Sequence, residues 1–483
     1  MSMNSTAPEE LYRSPFATRW AGQAMLRNWS DAHRFRLWRE LWIALAEAQA
    51  KLGLNVSEEA IAQLKEHRDD LNLEAAQAYE HELRHDVMSH ARAYGDQCPA
   101  ARGKIHLGAT SCFITDNADL VMMRAGLRLL TAPLAGACRQ LAGFARTLRA
   151  LPCLGFTHFQ PAQLTTVGKR ACLWLQDLLG DLEAVAALAD DLPMRGVKGA
   201  TGTQASFLAL FEGDGAKVQE LERLVAARMD FQRVVPVTGQ TYPRKLDHKV
   251  LTTLAGLAVS AHKMAVDIRL LAGLKEVEEP FGARQVGSSA MAYKRNPMRC
   301  ERMTALSRFL INNAQNAAFT AADQWLERTL DDSANRRLSL AEGFLAADSI
   351  ARLALDVTAG LVVNQRGVEA RVRAELPFMA TENILMEAVK TGGDRQELHE
   401  RIREHSMAAA RRVKGEGGEN DLLERLRGDA AFEAVRGRLD EIARPEAFVG
   451  RAPAQVDEFL ADVVEPVLAR FADADPEEAS LRV

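Results

Sequence analysis

The sequence predicts an all-α protein built around a long central helical bundle, and three observations carry that expectation. Residues 162–192, 244–279 and 298–376 contain no proline, the residue that would interrupt a helix. Within the second segment Leu246, Val250, Leu254, Leu257, Ala261, Ala265, Ile268 and Leu271 recur at three- and four-residue steps, which puts them on one face of a 3.6-residue helix. Strand-like alternation is hard to find anywhere. Helices of roughly 30 residues would be ~45 Å long, so their apolar faces are expected to pack as an extended bundle, and exposed remainders would favour an oligomer.

Taken in chain order, the first strong element is an amphipathic helix with Ser30 as N-cap, an apolar stripe of Phe35, Trp38, Leu41, Trp42 and Leu45, and Gly53 as C-cap. It belongs to an N-terminal unit. The long helices follow, separated by glycine- and proline-containing breaks at residues 98–110, 151–161, 193–202, 235–243 and 278–297. The break at 151–161 is expected to pass directly into a helix, with Pro161 opening it. After Pro377 the chain turns more charged, with Gly392-Gly393 and Glu416-Gly417-Gly418-Glu419, as expected of a smaller third unit. No internal repeat stands out.

Length and composition narrow the function. A chain of 483 residues is long enough for two to four units unless long helices share one bundle. With 47% hydrophobic residues, 26% charged residues and a formal charge of −5, it lacks the basic excess that nucleic acid requires. Cys98, Cys112, Cys138, Cys153, Cys172 and Cys300 are scattered without a CxxC pair, which suits a reducing compartment. No leader or charge-free membrane span is read, so a cytoplasmic protein is expected, with no membrane partner.

Four stretches could carry chemistry. His81-Glu82-Leu83-Arg84-His85 matches H-E-x-x-H, but Met88 and Ala91 stand where a metzincin needs glycine and histidine, and no glutamate between Glu82 and Glu183 offers another third ligand. Surface or substrate-contacting histidines are the expectation there. Phe156-Thr157-His158-Phe159-Gln160-Pro161 places a histidine among hydrogen-bonding groups in a break. Residues 278–297 form a loop too long for a simple connection, holding Gly282, Gly287, Ser288, Ser289, Lys294 and Asn296. A serine beside a lysine and loop N–H groups could lose its proton, while Lys294 and Asn296 could hold the aci-carboxylate of a deprotonated carbon acid. Residues 324–337 concentrate arginines near Ser333, and Arg299, Arg302 and Arg308 on the preceding helix tilt that region toward anion capture.

Gly287-Ser288-Ser289-Ala290-Met291-Ala292-Tyr293-Lys294-Arg295-Asn296-Pro297 resembles the G-S-S-x-M-P-x-K-x-N-P signature of the aspartase/fumarase superfamily of homotetrameric lyases, departing only at Ala292. Arg84-His85-Asp86-Val87-Met88, His106-Leu107-Gly108-Ala109-Thr110-Ser111, Thr157-His158-Phe159-Gln160-Pro161-Ala162-Gln163, Gly239-Gln240-Thr241-Tyr242 and Arg328-Thr329-Leu330-Asp331-Asp332-Ser333 are similar to the adenylosuccinate lyases, particularly their animal-type branch. The resemblance spans about residues 11–450. It implies a three-domain aspartase/fumarase-like fold, divided at 1–111, 112–364 and 365–483, and a homotetramer whose sites draw on three subunits. It implies β-elimination of fumarate from adenylosuccinate, giving AMP, and from succinylaminoimidazole-carboxamide ribotide (SAICAR), giving the aminoimidazole carboxamide (AICAR). No metal or other cofactor is expected.

Carried over by position, Ser288 becomes the base, His158 the acid and Glu301 the group that orients His158. Lys294 and Asn296 would grip the succinyl carboxylate. Arg19, Trp20, Arg84, His85, Asp86, Thr110, Ser111, Thr157, Gln240, Arg302, Arg328, Ser333 and Arg337 would contact the rest of the nucleotide substrate. Trp20 stands where relatives commonly carry tyrosine, and an indole N–H donates but cannot accept. Two rival readings are an argininosuccinate-type lyase, against which the nucleotide-type blocks argue, and a non-catalytic crystallin-like scaffold, against which the joint presence of His158, Ser288, Lys294 and Asn296 argues.

Overall fold

The computed structural model describes residues 10–282 and 284–474. Five long helices dominate it: Ser111–Thr147, Val167–Asp191, Lys245–Gly273, Met298–Ala322 and Asp331–Ala359. The predicted stripe on the third is the buried face, with Val250, Leu254, Leu257, Ala261, Ala265, Ile268 and Leu271 all inside the core. Cross-links fix the directions. Asn313 Nδ2 donates to Ser339 O at 2.7 Å and Asn335 Nδ2 to Asn316 Oδ1 at 3.0 Å, so the last two helices run antiparallel. Trp174 Nε1 reaches Asp267 Oδ2 at 2.7 Å across the antiparallel second and third helices. The bundle therefore has two ends. One gathers Ser111, Asp191, Arg244, Ala322 and Asp331, and the other gathers Thr147, Val167, Gly273, Met298 and Ala359.

The Ser111–Thr147 helix carries a window of mean hydropathy 1.2, apolar enough by length and composition to cross a membrane, but 67% of that window is covered by the rest of the fold. Its neighbours account for its apolarity. Ahead of it, the Asp31–Lys51 helix is capped as expected, with Ser30 accepting from His33 N at 3.2 Å and Gly53 left-handed at φ 94°. Residues from Phe16 to Val464 share the main core, including Val456, Leu460 and Val464, which return to the bundle near the end of the described chain. Ala380, Ile384, Leu398, Leu422, Phe432 and Leu439 belong to a second, separate core.

Two local expectations are corrected. Pro161 opens no helix: Pro152–Thr157 and Gln160–Thr166 form an antiparallel hairpin pairing Thr157 with Gln160, and the helix begins only at Val167, capped by Thr166. Proline is tolerated at the margin of a two-stranded hairpin, where its missing N–H breaks no central ladder. Leu154 and Leu164 of the hairpin pack on Val372 and Leu376, a partner from the Gln365–Met379 helix that local sequence cannot reveal. The proline-free run 298–376 is three helices, broken at 323–330 and around Gly360. The H-E-x-x-H motif lies on no single helix either. The Leu73–Leu83 helix ends after His81, Arg84 turns left-handed at φ 53°, and His85 caps the next helix by accepting from Met88 N at 3.3 Å.

Candidate active site

The first end of the bundle holds a cavity of about 670 Å³. Helix termini build most of its wall. His85 and Asp86 start the Asp86–Gln97 helix, Thr110 and Ser111 start the next, and Asp332, Ser333 and Arg337 occupy the first turns of Asp331–Ala359. Ser333 and Arg337 are four residues apart and share a helix face. Arg84, His85, Asp86, Ser111, Gln240, Arg328, Ser333 and Arg337, all expected from the resemblance to contact substrate, line the cavity.

These residues hold one another in place. Ser111 Oγ lies 3.3 Å from His85 Nε2, and Arg337 Nη2 donates to Asp86 Oδ2 at 3.0 Å. Gln240 donates through Nε2 to Thr110 Oγ1 at 3.1 Å, which brings Thr110 to the cavity rim. The Gln240 backbone is fixed on both sides: its N–H donates to Glu327 O at 2.9 Å, and its carbonyl accepts from buried Arg195 Nε at 2.8 Å.

Beneath them lies a charged floor that sequence reasoning missed. Arg244 binds Asp116 through both Nη atoms at 3.1 and 3.0 Å and Asp332 through Nε at 2.6 Å. Arg336 binds Asp247 through Nε at 2.7 Å and Asp119 through Nη1 at 3.0 Å, and it donates to the Tyr242 hydroxyl. Burial opposes charge on both arginines, yet the surrounding aspartates hold their pKa values above the ordinary guanidinium range. The available signals were Arg336 beside Arg337 and Arg244 two positions past Tyr242. Nothing local ties either to its aspartates.

The predicted acid and base lie at the other end of the bundle. His158 and Phe159 form the hairpin tip in left-handed conformation, φ 53° and 58°, a two-residue turn matched to strand twist that leaves Thr157 and His158 exposed. In the 278–297 loop, Ser288 Oγ accepts from Met291 N at 3.2 Å and Ala290 N at 3.4 Å, whereas Ser289 is exposed. Asn296 Nδ2 donates to Gly287 O at 2.7 Å. The glycine is needed there, because a Cβ would come within 2.1 Å of Lys294 O. The loop leaves the bundle beside Glu279, whose carboxylate accepts from Arg299 N at 3.0 Å and Cys300 N at 2.8 Å, capping the Met298–Ala322 helix. Glu301, in its first turn, lies 4.0 Å from Arg269.

The arginines expected to extend the anion site do not join it. Arg299 is tied to Asp356 at 2.8 Å and to Pro280 O, and Arg308 bonds Thr304 O at 3.3 Å. Arg302 is half-buried on the same helix, and it lies outside the cavity wall. Arg19 and Trp20 sit in the five-residue turn Phe16–Trp20, held to the bundle by Phe16 against Phe309, and they do not line the cavity. One 29-residue helix, Lys245–Gly273, separates the two ends, about 40 Å at 1.5 Å rise per residue. Within one chain, the cavity and the Ser288–His158 end cannot touch.

Comparison with known proteins adds three findings. A family profile described as Lyase matches residues 17–310, and one described as Adenylosuccinate lyase C-terminus matches residues 377–459. The chain is 52% identical to the adenylosuccinate lyase of Saccharomyces cerevisiae, covering 95% of this chain and 96% of that one, and 45% identical to the enzyme of Schistosoma mansoni over 96% and 97%. Among solved structures, the fumarate lyase of Mesorhizobium sp. BNC1 superposes with TM-score 0.77 at 24% identity, covering 95% of this chain and 99% of that one. The 3-carboxy-cis,cis-muconate lactonizing enzyme of Pseudomonas putida gives 0.80 at 21% identity, over 95% and 100%. At such low identity these two likenesses speak for the fold alone.

Proposed function

This chain belongs to the adenylosuccinate lyases of the aspartase/fumarase superfamily, and from that membership we propose how its residues divide the work. The enzyme is a carbon–nitrogen lyase of purine nucleotide biosynthesis that releases fumarate from adenylosuccinate and from SAICAR. In our reading Ser288 first gives up its hydroxyl proton to solvent, and its Oγ alkoxide then takes a proton from the succinyl Cβ. The electron pair left behind is delocalised into the adjacent carboxylate, which Lys294 and Asn296 stabilise, and it then forms the Cα–Cβ double bond as the C–N bond breaks. His158 donates a proton to the departing nitrogen, so the amine leaves neutral while fumarate leaves as its dianion. The two backbone N–H groups that meet Ser288 Oγ support its choice over Ser289, because they would stabilise the serine oxygen as its proton leaves. Glu301 orients His158, and the cavity residues with Arg19, Trp20, Thr157 and Arg302 hold the nucleotide.

The observation that carries this reading is the placement of cavity and acid–base residues at opposite ends of one bundle. A complete site then needs several copies, and we infer a homotetramer in which the cavity, Ser288 and His158 of one site each come from a different subunit. Exposed apolar side chains on the long helices, Leu173, Val259, Leu270, Phe309, Phe319 and Leu338, support such packing. We read the chain as three parts, 1–111, 112–364 and 365–483, with the separate core of the last part in favour. The six free thiols suit the cytoplasm.

Purified protein should convert adenylosuccinate to AMP and fumarate, followed by absorbance. Ser288→Ala and His158→Ala should each lower kcat by ~10²-fold or more with unchanged assembly size, as for removed proton transfer. Ser289→Ala should stay within ~3-fold of the parent, since its hydroxyl has no proton to move. If Ser289→Ala falls as far as Ser288→Ala is expected to, the base is misassigned.

A further inference from the structure

We propose that Asp332 is the positioning residue for Arg328, holding that arginine's guanidinium against the cavity wall so that its remaining donors meet the substrate. The inference rests on Arg328 contacting the nucleotide, as argued above. Asp332 has a side chain that is 0% exposed and bridges two guanidinium groups. Oδ1 lies 2.6 Å from Arg328 Nη1, and Oδ2 lies 2.6 Å from Arg244 Nε. Arg244 is itself clamped through both Nη atoms on Asp116, and Asp116 Oδ2 also accepts from Tyr242 N at 3.0 Å. Three long-helix starts, Ser111–Thr147, Lys245–Gly273 and Asp331–Ala359, are thereby locked to one another behind Arg328.

Arg328 needs such an anchor because it sits in the irregular segment 323–330, whose Trp325, Leu326 and Leu330 are exposed. Its Nη1 is engaged by Asp332 and by Thr329 O, while Nε and Nη2 make no hydrogen bond among the described residues. A fixed guanidinium with one donor edge unused can take a phosphate or carboxylate without the entropy loss of ordering a long side chain on binding. Burial alone would push the Asp332 carboxyl up, but Arg244, Arg328 and Arg336 together hold it below the ordinary aspartate value. The anchor therefore stays ionised at neutral pH. Because Asp332 acts on the substrate only by placing Arg328, its contribution is geometric and should act equally on bound substrate and transition state, appearing in KM and not in kcat.

Steady-state kinetics on Asp332→Asn, Arg328→Ala and the double variant test this. Asp332→Asn should raise KM for adenylosuccinate by ~5-fold or more with kcat within ~2-fold, and the double variant should be no worse than Arg328→Ala alone. If Arg328→Ala raises KM while Asp332→Asn leaves it unchanged, or if the two effects multiply, the positioning role is overturned. If Arg328→Ala itself leaves KM unchanged, the substrate contact assigned to Arg328 fails instead, and with it the basis for an anchor. Should Asp332→Asn fail to fold, a crystal structure of the parent enzyme with AMP decides: Arg328 stays on Asp332 if the inference holds and has turned away from it if not.

Discussion

Ser288 and His158 take their positions from backbone geometry, one from a tight loop closed by Gly287 and Asn296, the other from a left-handed turn. Both could be proposed from the sequence because they sit in contiguous motifs. The paired charges beneath the cavity were not, since Arg244 and Asp332 are 88 residues apart and nothing local announces the contact. His106 offers a residue-scale test of burial. Its Nδ1 accepts from Trp42 Nε1 at 3.0 Å, and burial lowers its pKa from 6.5 to about 4. His90, stacked on Phe35, is lowered to about 4 as well, chiefly by burial and then by Arg39. The unfolded chain then binds more protons between about pH 6.5 and pH 4, so stability is full above 6.5 and falls as pH drops through that window. His106→Asn should flatten the fall in melting temperature across that range, since Asn tolerates the left-handed φ of 68° and keeps an acceptor for Trp42. An unchanged slope would show that His106 is not one of the groups responsible.

Among the elements, the long helices were readable because their apolar period survives into the structure, and the Ser30 cap with its following helix was readable from local chemistry. The hairpin that carries the proposed acid was not. Its pairing is only six and seven residues deep, its bulge falls between Leu154 and Phe156, and its stability comes from Val372 and Leu376. Gly168 shows how tightly this region is joined to the bundle: a Cβ there would come within 2.3 Å of Ala145 O and 2.7 Å of the Arg149 backbone. Gly168→Ala should therefore cost about 1–3 kcal/mol, because backbone on both sides must give way. Denaturant unfolding checks it, and a neutral result would mean that the end of the first long helix is free to shift. The root of the loop that carries the proposed base has a comparable knot. Buried Glu276 faces Arg371 Nε at 3.0 Å and Arg170 Nη1 at 3.7 Å, and Arg170 also donates to Leu154 O in the hairpin. Glu276→Ala should destabilise by roughly 3 kcal/mol, chiefly through the cations left unpaired.

For the whole molecule, bundle length decides what one chain can do. The cavity and the proposed acid–base residues occupy opposite ends of a 29-residue helix, a separation of about 40 Å that no side-chain rearrangement closes. The sequence could suggest a long bundle with apolar faces left over. It could not show which functional residues share an end, because that depends on the directions in which five helices run. The proposed shared sites make a direct demand on mixtures of inactive variants. His158→Ala and Ser288→Ala enzymes, dissociated together and reassembled, should recover activity approaching about one quarter of the parent's, since random mixing gives some sites an intact histidine from one chain and an intact serine from another. Reassembled mixtures of the parent size with no more activity than either variant alone would contradict the account.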